Sequence, residues 1–116
     1  MTFREKFDHL KKTYGEKADF SGTDAEFAAQ LTLTDADCGG TFYIAHTGGV
    51  TAIEPYDYHD HTVAIRVDSG LLEKILKGEA DPVAAFLNGE MDVEGEPEHA
   101  LLLIGALKKT ENKKRK

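Results

Sequence analysis

The chain has 116 residues, of which 41% are apolar and 30% charged. That composition fits one globular domain with one core. It excludes a disordered polymer and a membrane-spanning protein, whose helices need ~20 consecutive apolar residues. The net charge of −7 is uneven: the last nine residues hold six basic groups and one acid, leaving eight bases and twenty acids elsewhere. An acidic body of that kind excludes bulk nucleic-acid binding, which needs a broad cationic face.

In chain order, Phe3, Phe7, Leu10 and Tyr14 recur at helical spacing among charged residues and predict an amphipathic helix stopped at Gly15. A loop is expected over Glu16 to Asp24. From Glu26 to Thr34 the residues alternate, with Phe27, Ala29, Leu31 and Leu33 on one face and Ala28, Gln30, Thr32 and Thr34 on a wet one. The polar cluster Asp35 to Gly40 reads as a turn, and Thr41 to His46 as a second strand with Phe42, Ile44 and His46 on one face. Gly48-Gly49 returns the chain into Val50 to Ile53, and local pairing makes these three strands a meander. After a turn region at Pro55 to Asp60, Thr62 to Val67 is a fourth strand whose Val63, Ile65 and Val67 point one way. Asp68 or Ser69 caps the next helix, in which Leu71, Leu72, Ile75 and Leu76 form the buried face and Gly78 closes the end.

The stretch from Ala80 to Leu107 is the most heavily punctuated. Asp81 is a natural N-cap, Pro82 a natural first helical residue and Asn88-Gly89 a left-handed C-cap, so Pro82 to Leu87 reads as a short closed helix. Glu90 to Glu94 alternates polar and apolar residues, the period of a half-buried strand, and Gly95 ends it. Pro97 opens a final helix whose Ala100, Leu101, Leu102, Leu103, Ile104, Ala106 and Leu107 leave no polar stripe, so it needs partners on more than one side. These elements predict an α+β fold: a five-stranded, mostly antiparallel sheet with helices packed on one face.

Residues 1–109 are expected to form a single domain and residues 110–116 a basic, flexible tail. The plain reading of that tail is a solubilising end. The sharper one is transient contact with an anionic membrane surface, where each Lys or Arg contributes about 1 kcal/mol. The opening MTFREKFDHLKK is charged throughout and lacks the apolar core of a secretory leader, and the single Cys38 excludes an internal disulfide. Both point to a cytoplasmic address.

Chemistry has few candidates. His59 and His61 lie two apart beside Asp57 and Asp60, a spacing that suits two ligands of a metal ion such as zinc, and a small metal-dependent enzyme is one reading of them. A third and fourth ligand are not visible in the sequence, and two histidines in an acidic turn also read as solvated loop residues. Cys38 precedes Gly39-Gly40 in a polar turn that exposes a thiol, but its neighbours Asp35 and Asp37 disfavour the thiolate. His46 and His99 read as core-edge histidines with hydrogen-bond partners. No nucleophile elbow, phosphate loop or dinucleotide fingerprint occurs, so no catalytic residue and no cofactor is assigned.

The order of the block resembles the C-terminal half of the sterol carrier protein 2 (SCP-2) family. The resemblance is carried by the helix end Leu71-Leu72-Glu73-Lys74-Ile75-Leu76-Lys77-Gly78, Asp81-Pro82, Ala85-Phe86, Gly89, the Met91/Val93 strand, Gly95 and the apolar last helix. It implies an SCP-2-like fold with an apolar cavity between sheet and helices for a lipid of sterol, fatty acyl, acyl-CoA or phospholipid type. The upstream strands match it only as a pattern.

On spacing alone, Leu31, Leu33, Phe42 and Ile44, with Phe86, Leu87, Met91, Val93, Leu101, Ile104 and Leu107, describe an ordinary close-packed core. The resemblance implies instead that the sheet face bearing Leu31, Leu33, Phe42 and Ile44 looks into a ligand cavity. Phe86, Leu87, Met91 and Val93 would then line its inner wall, and Leu101, Ile104 and Leu107 its lid. The function so implied is noncatalytic binding, and transfer, of an apolar lipid. The alternative is an accessory factor that presents a hydrophobic metabolite, such as a quinone precursor, to enzymes.

Overall fold

The computed structural model describes residues 2–15 and 26–114, with side chains as far as Leu107. The expected loop from Glu16 to Asp24 lies outside the described residues. Helix α1 spans Phe3–Leu10 and widens into a π-helical turn over Lys11–Gly15. Strands β1 (Phe27–Leu33), β2 (Gly40–Thr47), β3 (Val50–Glu54) and β4 (Val63–Val67) follow. Next come α2 (Ser69–Leu76), α3 (Pro82–Leu87), β5 (Met91–Gly95) and α4 (Pro97–Lys114). The last helix runs past the expected start of the basic tail.

Local chemistry explains most of the boundaries. Thr2 and Glu5 form a reciprocal capping box, Glu5 N–H donating to Thr2 Oγ1 at 3.2 Å and Thr2 N–H to Glu5 Oε1 at 2.9 Å. The Thr2 N–H first, and the Thr2 hydroxyl after it, hold the Glu5 carboxyl below its ordinary range. Of the two candidate caps for α2, Asp68 is the one that accepts, from Leu71 N–H. Gly95, at φ +94°, ends β5 where an added Cβ would meet the Thr62 carbonyl oxygen, and this close approach lets Glu96 N–H donate to that same oxygen at 2.9 Å.

The sheet order is β3-β2-β1-β4-β5, with every neighbouring pair antiparallel except β1 and β4. The parallel pair sets Leu31 beside Ile65 and Ala29 beside Val63, and the antiparallel pairs add Phe42, Ile44, Ile53 and Val93 to the same face. All four helices described cover that face. The other face is not left fully wet. The connection between β3 and β4 crosses it, stacking Tyr58 on Tyr43 with ring centroids 4.8 Å apart and donating Tyr58 N–H to Gln30 Oε1 at 3.0 Å. Ala28 and Ala45, on the face expected to be solvated, are buried as a result.

Helix α4 meets the expectation for an apolar cylinder. Ala100, Leu103, Ile104, Ala106 and Leu107 are buried among β1, β4, β5, α2 and the π turn, while Leu101 stays half exposed. Across the first layer, Glu73 Oε1 on α2 faces Lys6 Nζ at 3.5 Å and His9 Nε2 at 3.2 Å on α1, joining the two helices.

Candidate functional site

Helix α3 is six residues long and would not persist alone. Asp81 accepts from Val83 N–H at 3.0 Å, Pro82 opens the helix, and Ala85 is its one buried residue. The Ala85 carbonyl in turn accepts from Glu90 N–H at 2.9 Å, in the turn that leads from α3 into β5. Its free face leans toward the start of α4.

Between them lies an apolar pocket of about 100 Å³. Pro82, Val83 and Phe86 of α3 form one wall, Met91 and Val93 of β5 the floor, and Pro97, Ala100, Leu101 and Ile104 of α4 the other wall. Val83, Phe86 and Leu101 are each about half exposed and form the mouth. Ligand pockets typically enclose roughly 300–1,000 Å³, so this one is small by that measure. A second space, of about 20 Å³, lies under α1 and the π turn among Phe7, Tyr14, Leu31, Phe42, Ile44 and Leu107. That is closed packing.

The residues expected to line one cavity therefore divide. Phe86, Met91, Val93, Leu101 and Ile104 meet around the pocket. Leu31, Phe42, Ile44 and Leu107 lie in the packed seam, and Leu33 is buried in the core beside neither space. Two placements are corrected. Leu87, expected on the inner wall, is 75% exposed because it sits at the end of α3 on the side away from β5. Leu107, expected at the lid, is 3% exposed because α4 has by then turned its side toward the π turn and β2. Pro82, Val83, Pro97 and Ala100 were missed. Their spacing to Phe86, Leu101 and Ile104, three or four residues along a helix, is the signal that marks them.

The titratable candidates do other work. Cys38 is 4% exposed, a correction to the expected surface thiol: the turn that holds it folds against the start of α2, placing Sγ 3.7 Å from Ser69 Oγ. Burial pushes its pKa up, and Asp35 and Asp37 add to that. Asp35 accepts from Ser69 N–H at 2.8 Å and from Ser69 Oγ–H at 2.9 Å. Burial raises its pKa, but these bonds together outweigh it and hold the carboxyl below its ordinary range. Donor atoms of Asp35, Asp37 and Cys38 lie within 4.8 Å of one another, yet both Asp35 oxygens are committed to Ser69. His59 and His61 are exposed, His61 Nδ1 lying 2.6 Å from the Tyr58 carbonyl, and among the described residues no third Asp, Glu, Cys or His joins them in a ligand cluster. His46 and His99 have the expected partners, Thr51 Oγ1 at 3.0 Å and Thr62 Oγ1 at 2.7 Å.

Solved structures with this fold include the stereoselective inverting sec-alkylsulfatase Pisa1 from Pseudomonas sp., at TM-score 0.69 and 14% identity over 78% of this chain. This chain spans 14% of that enzyme's length. Sterol carrier protein 2 from Aedes aegypti, solved in complex with palmitate, matches at TM-score 0.61 and 16% identity over 88% of this chain and 96% of that one. The ubiquinone synthesis protein UbiJ-SCP2 matches at TM-score 0.58 and 10% identity over 72% of this chain and 70% of that one. No curated protein matches the chain. The model of the SCP-2 sterol transfer family matches residues 7–108, nearly the whole length, and the chain belongs to that family.

Proposed function

We propose that this protein binds, and carries without chemical change, an apolar lipid-type ligand whose hydrocarbon end enters the pocket between α3, β5 and α4. The observation that carries this reading is the pocket wall itself, nine residues without one polar side chain, opening at the half-exposed Val83, Phe86 and Leu101. Each methylene moved from water into it contributes about 0.8 kcal/mol, so affinity grows with chain length and needs no charged anchor. Family membership and the palmitate held by the Aedes aegypti relative support the same reading. No helix among the described residues is long and apolar enough to cross a membrane. The basic end of the chain is suited to brief contact with anionic bilayers.

A second role is compatible with the same pocket: presenting a hydrophobic metabolite, such as a quinone precursor, to enzymes. The likeness to UbiJ-SCP2, a ubiquinone synthesis protein, favours keeping it in view.

Native mass spectrometry of freshly purified protein, solvent extraction and titration with a fluorescent acyl probe test the proposal. Saturable probe uptake that is lost in Phe86→Asp and Leu101→Asp, with folding retained because both side chains are already half exposed, supports it. Absence of uptake across acyl, sterol and prenyl probes, with no bound mass, overturns it.

A further inference from the structure

The sheet has two edges, and they are built differently. At one, β5 carries the exposed acids Asp92 and Glu94 and lies against α3. At the other, β3 contains no Lys or Arg, pairs with β2 in unbroken register from Val50 to Glu54, and bears its single charge, Glu54, at its last position. Charges and bulges along a strand are what keep a sheet edge from pairing with another strand, and the middle of β3 has neither.

The hairpin fixes which groups of β3 look outward. Gly48 and Gly49, at φ +58° and +79°, make its two-residue turn, so Thr47 and Val50 form a hydrogen-bonded pair, and the alternation of an antiparallel ladder aims Ala52 and Glu54 at β2 as well. Thr51 and Ile53 therefore point both N–H and C=O away from the sheet, and among the described residues no backbone group outside the sheet bonds to them. Past Glu54 the chain leaves this edge and crosses the far face, where Tyr58 N–H donates to Gln30 Oε1. Among the described residues, the large apolar side chains left exposed away from α3 and the pocket mouth are Val50 and Tyr56, one opening β3 and one two residues beyond its end.

We propose that the β3 edge is a self-association surface, on which two copies of this chain pair β3 with β3, antiparallel, about a two-fold axis at Ala52. In this register Thr51 of each copy exchanges both backbone bonds with Ile53 of the other. Ala52 meets its own counterpart in the non-hydrogen-bonded pair between them, where Cα atoms approach to about 4.5 Å and a methyl group offers no clash. Glu54 falls opposite Val50, beside the exposed Tyr56, and the two Glu54 residues stay roughly 14 Å apart along the strands, so no like charges are set against each other. This self-complementarity is what selects a second copy as the occupant. The result is one continuous sheet with a pocket at each outer end, because β5 is the edge opposite β3. A five-residue edge is small beside the roughly 1,200–2,000 Å² of a stable interface, so the dimer is a reversible one.

Sedimentation velocity of the whole chain, from micromolar to about 1 mM, tests this. The mass is expected to rise toward the dimer with concentration, and more so at high salt, because each copy carries a charge of −7 and salt screens the repulsion between copies. A contact between the basic end of one copy and the acidic body of another would instead weaken with salt, and that result overturns the inference. Ala52→Lys sets two cations against each other at the axis and is expected to abolish the rise, with circular dichroism reporting an unchanged fold. Under oxidation Ala52→Cys should give a covalent dimer, since the axis brings the two introduced thiols within disulfide range, while Val50→Cys alone should not. An equimolar mixture of Val50→Cys and Glu54→Cys should give the mixed dimer; Cys38, being buried, stays out of the reaction. A monomer throughout overturns the inference and leaves the edge to a strand of another protein. A dimer that persists in Ala52→Lys, or in which Ala52→Cys and Val50→Cys cross-link alike, overturns it too.

Discussion

Ile104 and Leu107 stand one turn apart on α4 and serve different spaces: Ile104 walls the open pocket with Met91 and Val93, whereas Leu107 closes the packed seam against Phe42 and Ile44. The same apolar helix thus supplies both a pocket wall and a core layer. Because both residues are buried, the distinction is invisible in burial alone.

Substitution at the two positions should therefore separate stability from binding. Leu107→Ala leaves a void in closed packing and is expected to cost about 2–5 kcal/mol while leaving acyl-probe affinity unchanged at temperatures where the protein is folded. Ile104→Val is expected to cost only about 0.5–1.5 kcal/mol and to alter probe affinity, because the lost methyl group widens the pocket. Urea midpoints and probe titrations on the two variants measure both effects.

The Asp35–Ser69 contact predicts the acid side of the stability profile. A carboxyl held below its ordinary pKa in the fold contributes stability that is present above its unfolded value of about 3.9 and is lost as pH falls through the lower folded value. Asp35→Asn should flatten the fall in melting temperature below about pH 4 relative to the parent. Ser69→Ala, which removes one of the two donors to a charged acceptor, should cost about 1.5–3 kcal/mol at neutral pH and less in acid. Thermal melts across this pH range would contradict the assignment if the three proteins ran parallel.

Two glycines should respond in opposite directions. A Cβ added at Gly105, on α4, meets nothing within 4 Å, so Gly105→Ala should stabilise by about 0.5–1 kcal/mol through helix propensity. Gly95→Ala forces a side chain into positive φ and against the Thr62 carbonyl, at the point where β5 hands over to α4. It should destabilise by about 1–3 kcal/mol and loosen the pocket floor, read as a lower melting temperature and weaker probe binding.

Local signals were legible where the physics is local. Asp81, Pro82 and Asn88-Gly89 bound α3 because a cap and its helix turn lie within a few residues, and strand alternation placed Leu31, Phe42 and Ile65 on the buried face. Thr2 and Glu5 carry an equally local capping-box signature that went unread. The two misplaced leucines mark where pattern fails. A helix of six residues is too short for its period to distinguish the facing of Phe86 from that of Leu87, and a helix apolar nearly all round has no polar stripe to show which side is the mouth.

The amino-acid sequence by itself determined the order of the strands and helices, the caps of α3, the apolar faces and, through the block from Leu71 to Leu107, the family, because each depends on residues close together in the chain. Only the tertiary structure decided that β4 runs parallel beside β1, that the 55–62 connection covers the far face of the sheet, and that Cys38 is buried against Ser69. It also decided that the expected cavity residues divide between an open pocket and a sealed seam. Those outcomes depend on pairings between segments tens of residues apart, where the preference of any single residue is weak and the packing of the whole chain selects among alternatives.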